Sequence, residues 1–335
     1  KNESQANNVE VNNNNGVLLS RVVKSVQQRY VPNEQVLWLL EQFRQMVNEC
    51  IRIGLEANVT SMKSLSLKTY HQLAKYGIYS KYGLTTNSAA TGILRNYRKA
   101  KRKGGHVKEP YAKRLQLVEC YGFKIENGVL TLPLGTGRKG KRASIPLNAH
   151  ILATIQGFTV RSVTLTPEML CLNYAKDVRE VQPQGLIGID RNLDNVTTAN
   201  TNGHVEQLDL SEATQVKATY REIRSHMTRN DHRIRKQVSG KYGRKQRDKV
   251  QQILHHASKR IVEQAKRDKH GIVMEKLTGI RKLYRKGNWQ GKKYRARMNS
   301  WSYYELQRQI EYKARWEGLP IIYVNPSGTS SKCSI

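Results

Sequence analysis

Two short apolar runs, far apart in the chain, each end on an acid: Leu186-Ile187-Gly188-Ile189-Asp190 and Gly271-Ile272-Val273-Met274-Glu275. Each reads as a buried strand that delivers one carboxylate. Two carboxylates brought together on adjacent strands repel one another unless cations sit between them, so the pair points to divalent metal. The reaction class that follows is metal-assisted phosphodiester hydrolysis. A two-metal site takes oxygen ligands from rigid strands and holds two cations about 3.5–4 Å apart. Two acids do not complete such a site, and a third is expected from a helix after the last strand, beyond Ile335. Asp194 reads as a turn or hydrogen-bonding residue rather than a ligand. Asn192 stands where the chain must turn sharply and is expected in the left-handed conformation that Asn tolerates.

The elements around the first acid sharpen this reading. After Asp190 come Asn195-Val196-Thr197-Thr198-Ala199, then Asn200 to Gly203, then His204-Val205-Glu206-Gln207-Leu208, with Asn202-Gly203 expected to supply the positive φ angles of a tight hairpin. An acid-bearing strand followed by a hairpin is how an RNase H-like α/β nuclease core begins. An actin-like nucleotide-binding fold also places an acid after its first strand. The Gly and Ser/Thr phosphate loop it needs is not found here.

The chain has 335 residues, of which 38% are hydrophobic and 7% aromatic, enough for two or more domains with a core of moderate density. Lys and Arg number 58 against 26 Asp and Glu, a formal net charge of +32. That field attracts polyanions, and because the basic residues spread over several segments, nucleic acid is the expected partner. A ribosomal-type or membrane-surface binder is the blander alternative. No run approaches the ~20 apolar residues that span a bilayer, and the first 16 residues hold no signal-peptide core, so the expected location is intracellular, cytoplasmic and nucleoid-associated. Cys50, Cys120, Cys171 and Cys333 form no Cys-x-x-Cys pair, and the first three read as buried small hydrophobes. The chain starts at Lys1 and stops at Cys333-Ser334-Ile335 without a closing element, so the expectation is a fragment or a product cut short.

Residues 1–16, rich in Asn, Gln and Glu, read as a disordered tail. Val17 to Val23 is strand-like. Pro32-Asn33 then precedes a helix with Val36, Leu39, Leu40, Phe43, Met46, Val47, Cys50 and Ile51 on one face. Residues 60–100 read as further helix, broken near Gly77 and Gly83. They end in a basic patch with Arg95, Arg98, Lys101, Arg102 and Lys103. Val107 to about Lys176 alternates in short runs with turn residues between them, which predicts a small barrel or sheet. Val250, Ile253, Leu254, Ala257, Ile261 and Ala265 predict a core-facing helix stripe, while Arg221 to Arg247 is densely basic and faces solvent or a phosphate backbone. His255-His256 lacks a partner at metal-ligand spacing. After Glu275, a basic loop from Arg281 to Arg297 carries Lys282, Arg285, Lys292 and Lys293, with Trp289 and two Tyr on which bases could stack. A helix bearing Tyr303, Leu306, Ile310 and Ala314 follows, Gly318-Leu319-Pro320 ends it, and Ile321 to Val324 is the last strand.

Gly188-Ile189-Asp190, Ile272 to Glu275 followed by Leu277-Thr278-Gly279-Ile280, and Val324-Asn325-Pro326-Ser327-Gly328-Thr329-Ser330-Ser331-Lys332-Cys333-Ser334 resemble the TnpB (OrfB) family of transposon-encoded proteins. Tyr30 to Gln35 with Arg44 and Asn48 resembles that family's N-terminal pattern. The resemblance implies an RNA-guided DNA endonuclease, ancestral to type V CRISPR effectors, with guide RNA and target DNA as partners and Mg²⁺ in a RuvC-like site. Guide pairing would read sequence while the protein holds the heteroduplex by its backbone. It implies Asp190 and Glu275 as the first two catalytic acids and metal ligands, and Cys333 as the first ligand of a zinc ribbon, with Zn²⁺ bound only by a longer chain.

The fold class so implied is an α/β RNase H-like (RuvC) nuclease core with an N-terminal wedge-like β-barrel and an inserted helical recognition region. The expected domains are a tail at 1–16, barrel segments at 17–32 and 106–180, recognition helices at 33–105, the nuclease domain at 181–328 and the start of the zinc ribbon at 329–335. Where the family has Gly, this chain has Asn192. The family's remaining zinc ligands and third acid would lie past Ile335, so weak or no cleavage is expected of the chain as it stands. The alternative is a catalytically dead fragment or relic that binds RNA or DNA without cutting.

Overall fold

The computed structural model describes residues 19–104, 107–135, 140–226, 232–285 and 287–326. In chain order these form β1 (Leu19–Arg29), α1 (Glu34–Glu56), α2 (Met62–Ala74), α3 (Tyr82–Arg102), β2 (Leu117–Glu119), β3 (Lys124–Glu126), β4 (Val129–Pro133) and β5 (Arg142–Pro146). Then come α4 (Ala149–Ile155), β6 (Thr159–Leu165), β7 (Met169–Arg179), β8 (Gly185–Arg191), β9 (Asn195–Asn200), β10 (Val205–Asp209), α5 (Ser211–Ser225) and α6 (His232–Arg267). Last are β11 (His270–Glu275), a single 3₁₀ turn, α7 (Lys292–Ser300), α8 (Tyr303–Trp316) and β12 (Ile321–Val324). The described residues fall into two units, one within 23–176 and one that joins 19–22 to 177–326.

In the 23–176 unit, α1 starts where Asn33 accepts a 2.9 Å hydrogen bond from the Val36 N–H, with Glu34 in the positive first turn. Its expected apolar stripe is buried throughout, and the burial pushes the Cys50 thiol up to about 12. Gly77, at φ 62, ends the turn after α2, whereas Gly83 lies inside α3 and breaks nothing. The β segments differ from the expected barrel. Among the described residues they make an open four-stranded sheet, β1-β7-β6-β2, and a separate three-stranded sheet, β3-β4-β5. One outer strand, β2, has only three residues, and a bulge at Val160/Ser162 shifts the β6–β7 register, so the two outer strands do not pair with each other. Cys120 is exposed and Cys171 half-buried, against the expectation for both.

The second unit is built on a five-stranded sheet of order β10-β9-β8-β11-β12. β8, β9 and β10 are antiparallel neighbours, and β11 runs parallel to both β8 and β12. Period-2 alternation sends Ile187 and Ile189, Ile272 and Met274 to one face, where they pack against Leu254 and Ile261 of α6 and Leu306 and Ile310 of α8. The long helix α6 follows its sequence pattern: its buried residues begin only at Val250, and the basic half before it stays outside the core. The β9–β10 hairpin uses a different turn from the expected one. Gly203 alone is left-handed, at φ 80, and the Gly203 N–H bonds the Asn200 carbonyl at 3.0 Å, so three residues close the loop with a glycine bulge.

Candidate active site

The parallel register fixes how the two acids meet. Gly188 pairs with Val273 and Ile189 with Met274, so one more step along each strand sets Asp190 beside Glu275. Parallel neighbours in register project to the same face and lie ~4.8 Å apart. That face is the one opposite the α6–α8 core. There Asp190 is exposed and Glu275 half-buried. They border an open depression of about 260 Å³ whose floor is Gly188, Thr197, Ala199, Val273 and Val324. Gly188 keeps that floor low beside Ala199, its partner on β9. Among the described residues no group of three or more His, Cys, Asp or Glu converges on one point.

The turn after Asp190 orients it. Asn192 is not left-handed, contrary to the expectation. Its amide instead donates to Asp190 Oδ2 at 3.0 Å and to Asn195 Oδ1 at 3.1 Å, while its N–H bonds the Asn195 carbonyl. The side-chain donor holds the carboxylate at the strand end, which a glycine could not do. Asp194 is structural, as its position predicts. It accepts from Thr214 Oγ1 at 2.7 Å and pairs with Arg297 at 3.2 Å.

Sequence reasoning missed Arg191. It continues the inward alternation of Ile187 and Ile189, which is the signal that could have found it, and only 3% of it is exposed. Its guanidinium donates to the backbone carbonyl of Glu275, to Gln307 Oε1 at 2.6 Å and to the Tyr303 carbonyl at 3.5 Å. Burial lowers its pKa, while Tyr323, Glu275, Glu311 and Asp190 pull the other way. Gln307 in turn donates to Glu311 and to the Tyr323 hydroxyl, so α8 and β12 lock the guanidinium in place.

The basic candidates behave differently from one another. In the 23–176 unit, Arg95 donates to the Thr60 carbonyl at 3.2 Å, and Arg98 bonds Asn58 and the Thr60 hydroxyl. Both tie α3 to the loop before α2. Lys101, Arg102 and Lys103 stay exposed at the helix end. In the other unit, the expected loop from Arg281 to Arg297 is helical from Lys292 onward, and Arg281, Lys282, Arg285, Trp289, Lys292 and Lys293 are all exposed. Cys333, the tail at 1–16 and the zinc-ribbon segment at 329–335 lie outside the described residues. Among the described residues no helix is long and apolar enough to cross a membrane.

Comparison with known proteins agrees with the resemblance. The TnpB-like protein MJ0751 of Methanocaldococcus jannaschii is 30% identical over 190 residues, 53% of this chain and 66% of the relative. The chain belongs to the TnpB family. Residues 303–335 match the Cas12f1-like TNB domain family. This TnpB-family chain is also similar to the CRISPR-associated endodeoxyribonuclease Cas12f1 of Sulfoacidibacillus thermotolerans, 36% identical over 81 residues, 24% of the chain and 17% of the relative. It thus spans less than two thirds of the curated relatives it matches. A solved Cas12f1–sgRNA–target DNA complex aligns over 93% of the chain and 87% of its own at 16% identity and TM-score 0.36, too low for any argument about fold.

Proposed function

We propose that this TnpB-family chain carries the first two acids of an RNA-guided DNA endonuclease, held on an RNase H-like (RuvC) sheet. The observation that supports it best is the in-register placement of Asp190 and Glu275 on the open face, with the antiparallel hairpin on one side of β8 and the parallel strands on the other. Two adjacent carboxylates over an open depression fit Mg²⁺, which binds through one or two carboxylates plus water and substrate phosphate. When bound, Mg²⁺ supplies Lewis-acid charge at the phosphate and a water of lowered pKa. The protein does the rest by geometry. Asp190 and Glu275 would hold the ion from two rigid strands, while Asn192 engages Asp190 Oδ2 and Arg191 pins the Glu275 backbone from beneath.

Residues 181–328 form the nuclease domain in this reading. Residues 33–105 make the recognition helices, and 17–32 with 106–180 make the wedge-like β module. Guide RNA and target DNA are the partners, with phosphate contacts from Lys101, Arg102, Lys103, Arg281, Lys282, Arg285, Lys292 and Lys293. The names of the relatives, a TnpB-like protein and a CRISPR-associated endodeoxyribonuclease, support the same reading.

The test is Mg²⁺-dependent nicking of supercoiled plasmid by the chain purified with its bound RNA. With only two of the acids in this chain, weak nicking at most is expected, and what there is should vanish in Asp190→Ala and in Glu275→Ala. Equal nicking by either variant would sink the proposal. Salt-sensitive binding with no nicking, unaltered by both substitutions, would replace it with the binding-only reading.

A further inference from the structure

Trp289 combines two unfavourable features. Its indole is fully exposed, and its backbone is left-handed, at φ 60. A bulky side chain rarely takes that conformation, and a Trp rarely forgoes all burial, so the pair of features points to a use for the ring. The residues around it hold this arrangement rather than leave it to chance. Asn288 on one side donates to the carbonyls of Lys282 at 2.9 Å and Leu283 at 3.3 Å. On the other side, Gln290 donates to the Leu283 carbonyl at 2.8 Å, and Arg295 bonds the Gln290 carbonyl. Tyr284 in the same stretch is buried. Trp289 therefore stands between two residues whose side chains are bonded back to the backbone of Lys282 and Leu283.

The surroundings define what the ring meets. From Lys276 to Tyr304 there is no Asp or Glu. Arg281, Lys282 and Arg285 stand exposed before Trp289, and Lys292 and Lys293 after it. Such a field favours a polyanion over a protein groove. α7 then ties the loop to α5 and to the turn that follows Asp190. Arg297 pairs with Asp194, Arg221 donates to the Ala296 carbonyl at 2.9 Å, and Lys217 to the Ser300 carbonyl and Ser302 hydroxyl, both at 2.6 Å. Along α7, about 7.5 Å of helical rise separates Lys292 from the Arg297 that pairs with Asp194, a span within the reach of a few nucleotides.

We propose that Trp289 is a stacking platform for one base of an unpaired nucleic-acid strand, whose phosphates the flanking Lys and Arg residues hold as the strand runs to Asp190 and Glu275. Only an unpaired base offers its face to a ring; a duplex offers edges. The inference rests on the nuclease reading for where the strand leads, though not for the contact itself.

The test therefore omits divalent metal, so that loss of cleavage cannot register. Binding of an oligo-dT strand of about 20 nucleotides and of a duplex of equal length would be followed by fluorescence anisotropy over a salt series, using the full 335-residue chain. Trp289→Ala and Trp289→Leu are expected to weaken single-strand binding roughly 5- to 150-fold with the salt slope unchanged, the scale of one lost base–aromatic stack. Trp289→Phe should recover most of the loss, and duplex binding should change less than about twofold in any variant. Trp289→Gly removes the ring while relieving the left-handed strain, so its expected loss of binding comes with an undiminished melting temperature. Unchanged single-strand affinity in Trp289→Ala would overturn the proposal. So would wild-type affinity in Trp289→Leu, or an equal loss for duplex and single strand.

Discussion

Arg191 and Glu275 are joined across the β8–β11 pair, the guanidinium of one donating to the backbone carbonyl of the other from the buried side of the sheet. The catalytic candidates project to the opposite side, so one residue couples the rigidity of the core to the spacing of the acids. A buried guanidinium is costly to desolvate and remains charged, and it is tolerated here because Gln307 and two backbone carbonyls accept from its two terminal nitrogens, though its buried Nε–H finds no partner among the described residues. Arg191→Met strands those acceptors and is expected to cost about 2–4 kcal/mol in urea unfolding. Arg191→Lys should recover only part of this, since an ammonium cannot reproduce the planar fork. An unchanged unfolding midpoint for Arg191→Met would show the network to be idle.

The carboxylate pair should reveal itself in stability as well as in cleavage. With Mg²⁺ absent, Asp190→Asn removes one of two like charges about one strand spacing apart and should leave the melting temperature equal or raised. Adding Mg²⁺ should stabilise the native chain by ~2.7 kcal/mol at a hundredfold excess over its dissociation constant and should do far less for the variant. A thermal-shift titration decides this. Equal Mg²⁺-induced shifts in both proteins would mean that the ion binds elsewhere.

Gly318 ends α8 at φ 74, and an added Cβ there would run into the Arg179 carbonyl and lie 2.9 Å from Val178 Cγ1. The same glycine's carbonyl accepts the Val181 N–H at 2.8 Å, so the strand leading into the sheet depends on this close approach. Gly318→Ala is expected to destabilise by more than about 1 kcal/mol, the strain of a left-handed non-glycine plus the contact. Calorimetry would check it, and a neutral effect would mean that the backbone relaxes away.

That glycine was legible in the sequence, because Gly-Leu-Pro after a helical stripe has one ready physical meaning. The α1 face, the α6 stripe and the two acid-bearing strands were legible for the same reason: periodicity reports which face is buried. Pairing across the sheet was less so. Nothing in residues 107–180 says whether outer strands meet, and a three-residue β2 with a bulge in β6 leaves the sheet open. α7 was hidden because its apolar content is low and its dockings, through Arg297, Arg221 and Lys217, are polar contacts with residues distant in sequence. Asn192 was read by its backbone tolerance when its side chain mattered more. Arg191 was passed over because charge suggests solvent, although alternation from Ile187 and Ile189 put it inside.

Lys217 gives the site's surroundings a pH dependence. Burial first, and then the Arg281 and Arg221 charges, lower its pKa from 10.5 to about 8, while its ammonium donates to the Ser300 carbonyl and the Ser302 hydroxyl. Because the folded value is depressed, the unfolded chain binds more protons than the folded one between pH ~8 and ~10.5, and stability rises with pH through that window. Below about pH 8 the cost of burying the charge is present in full; above about 10.5 it is gone. Lys217→Met has no such group. The stability of the native chain relative to this variant should therefore climb from pH 8 towards 10, with a slope of at most ~1.4 kcal/mol per pH unit for one proton. Urea midpoints at matched pH would measure the difference directly, other titrating groups being common to both proteins. A pH-independent difference would mean that Lys217 keeps an ordinary pKa and that α7 docks on α5 through a solvated charge.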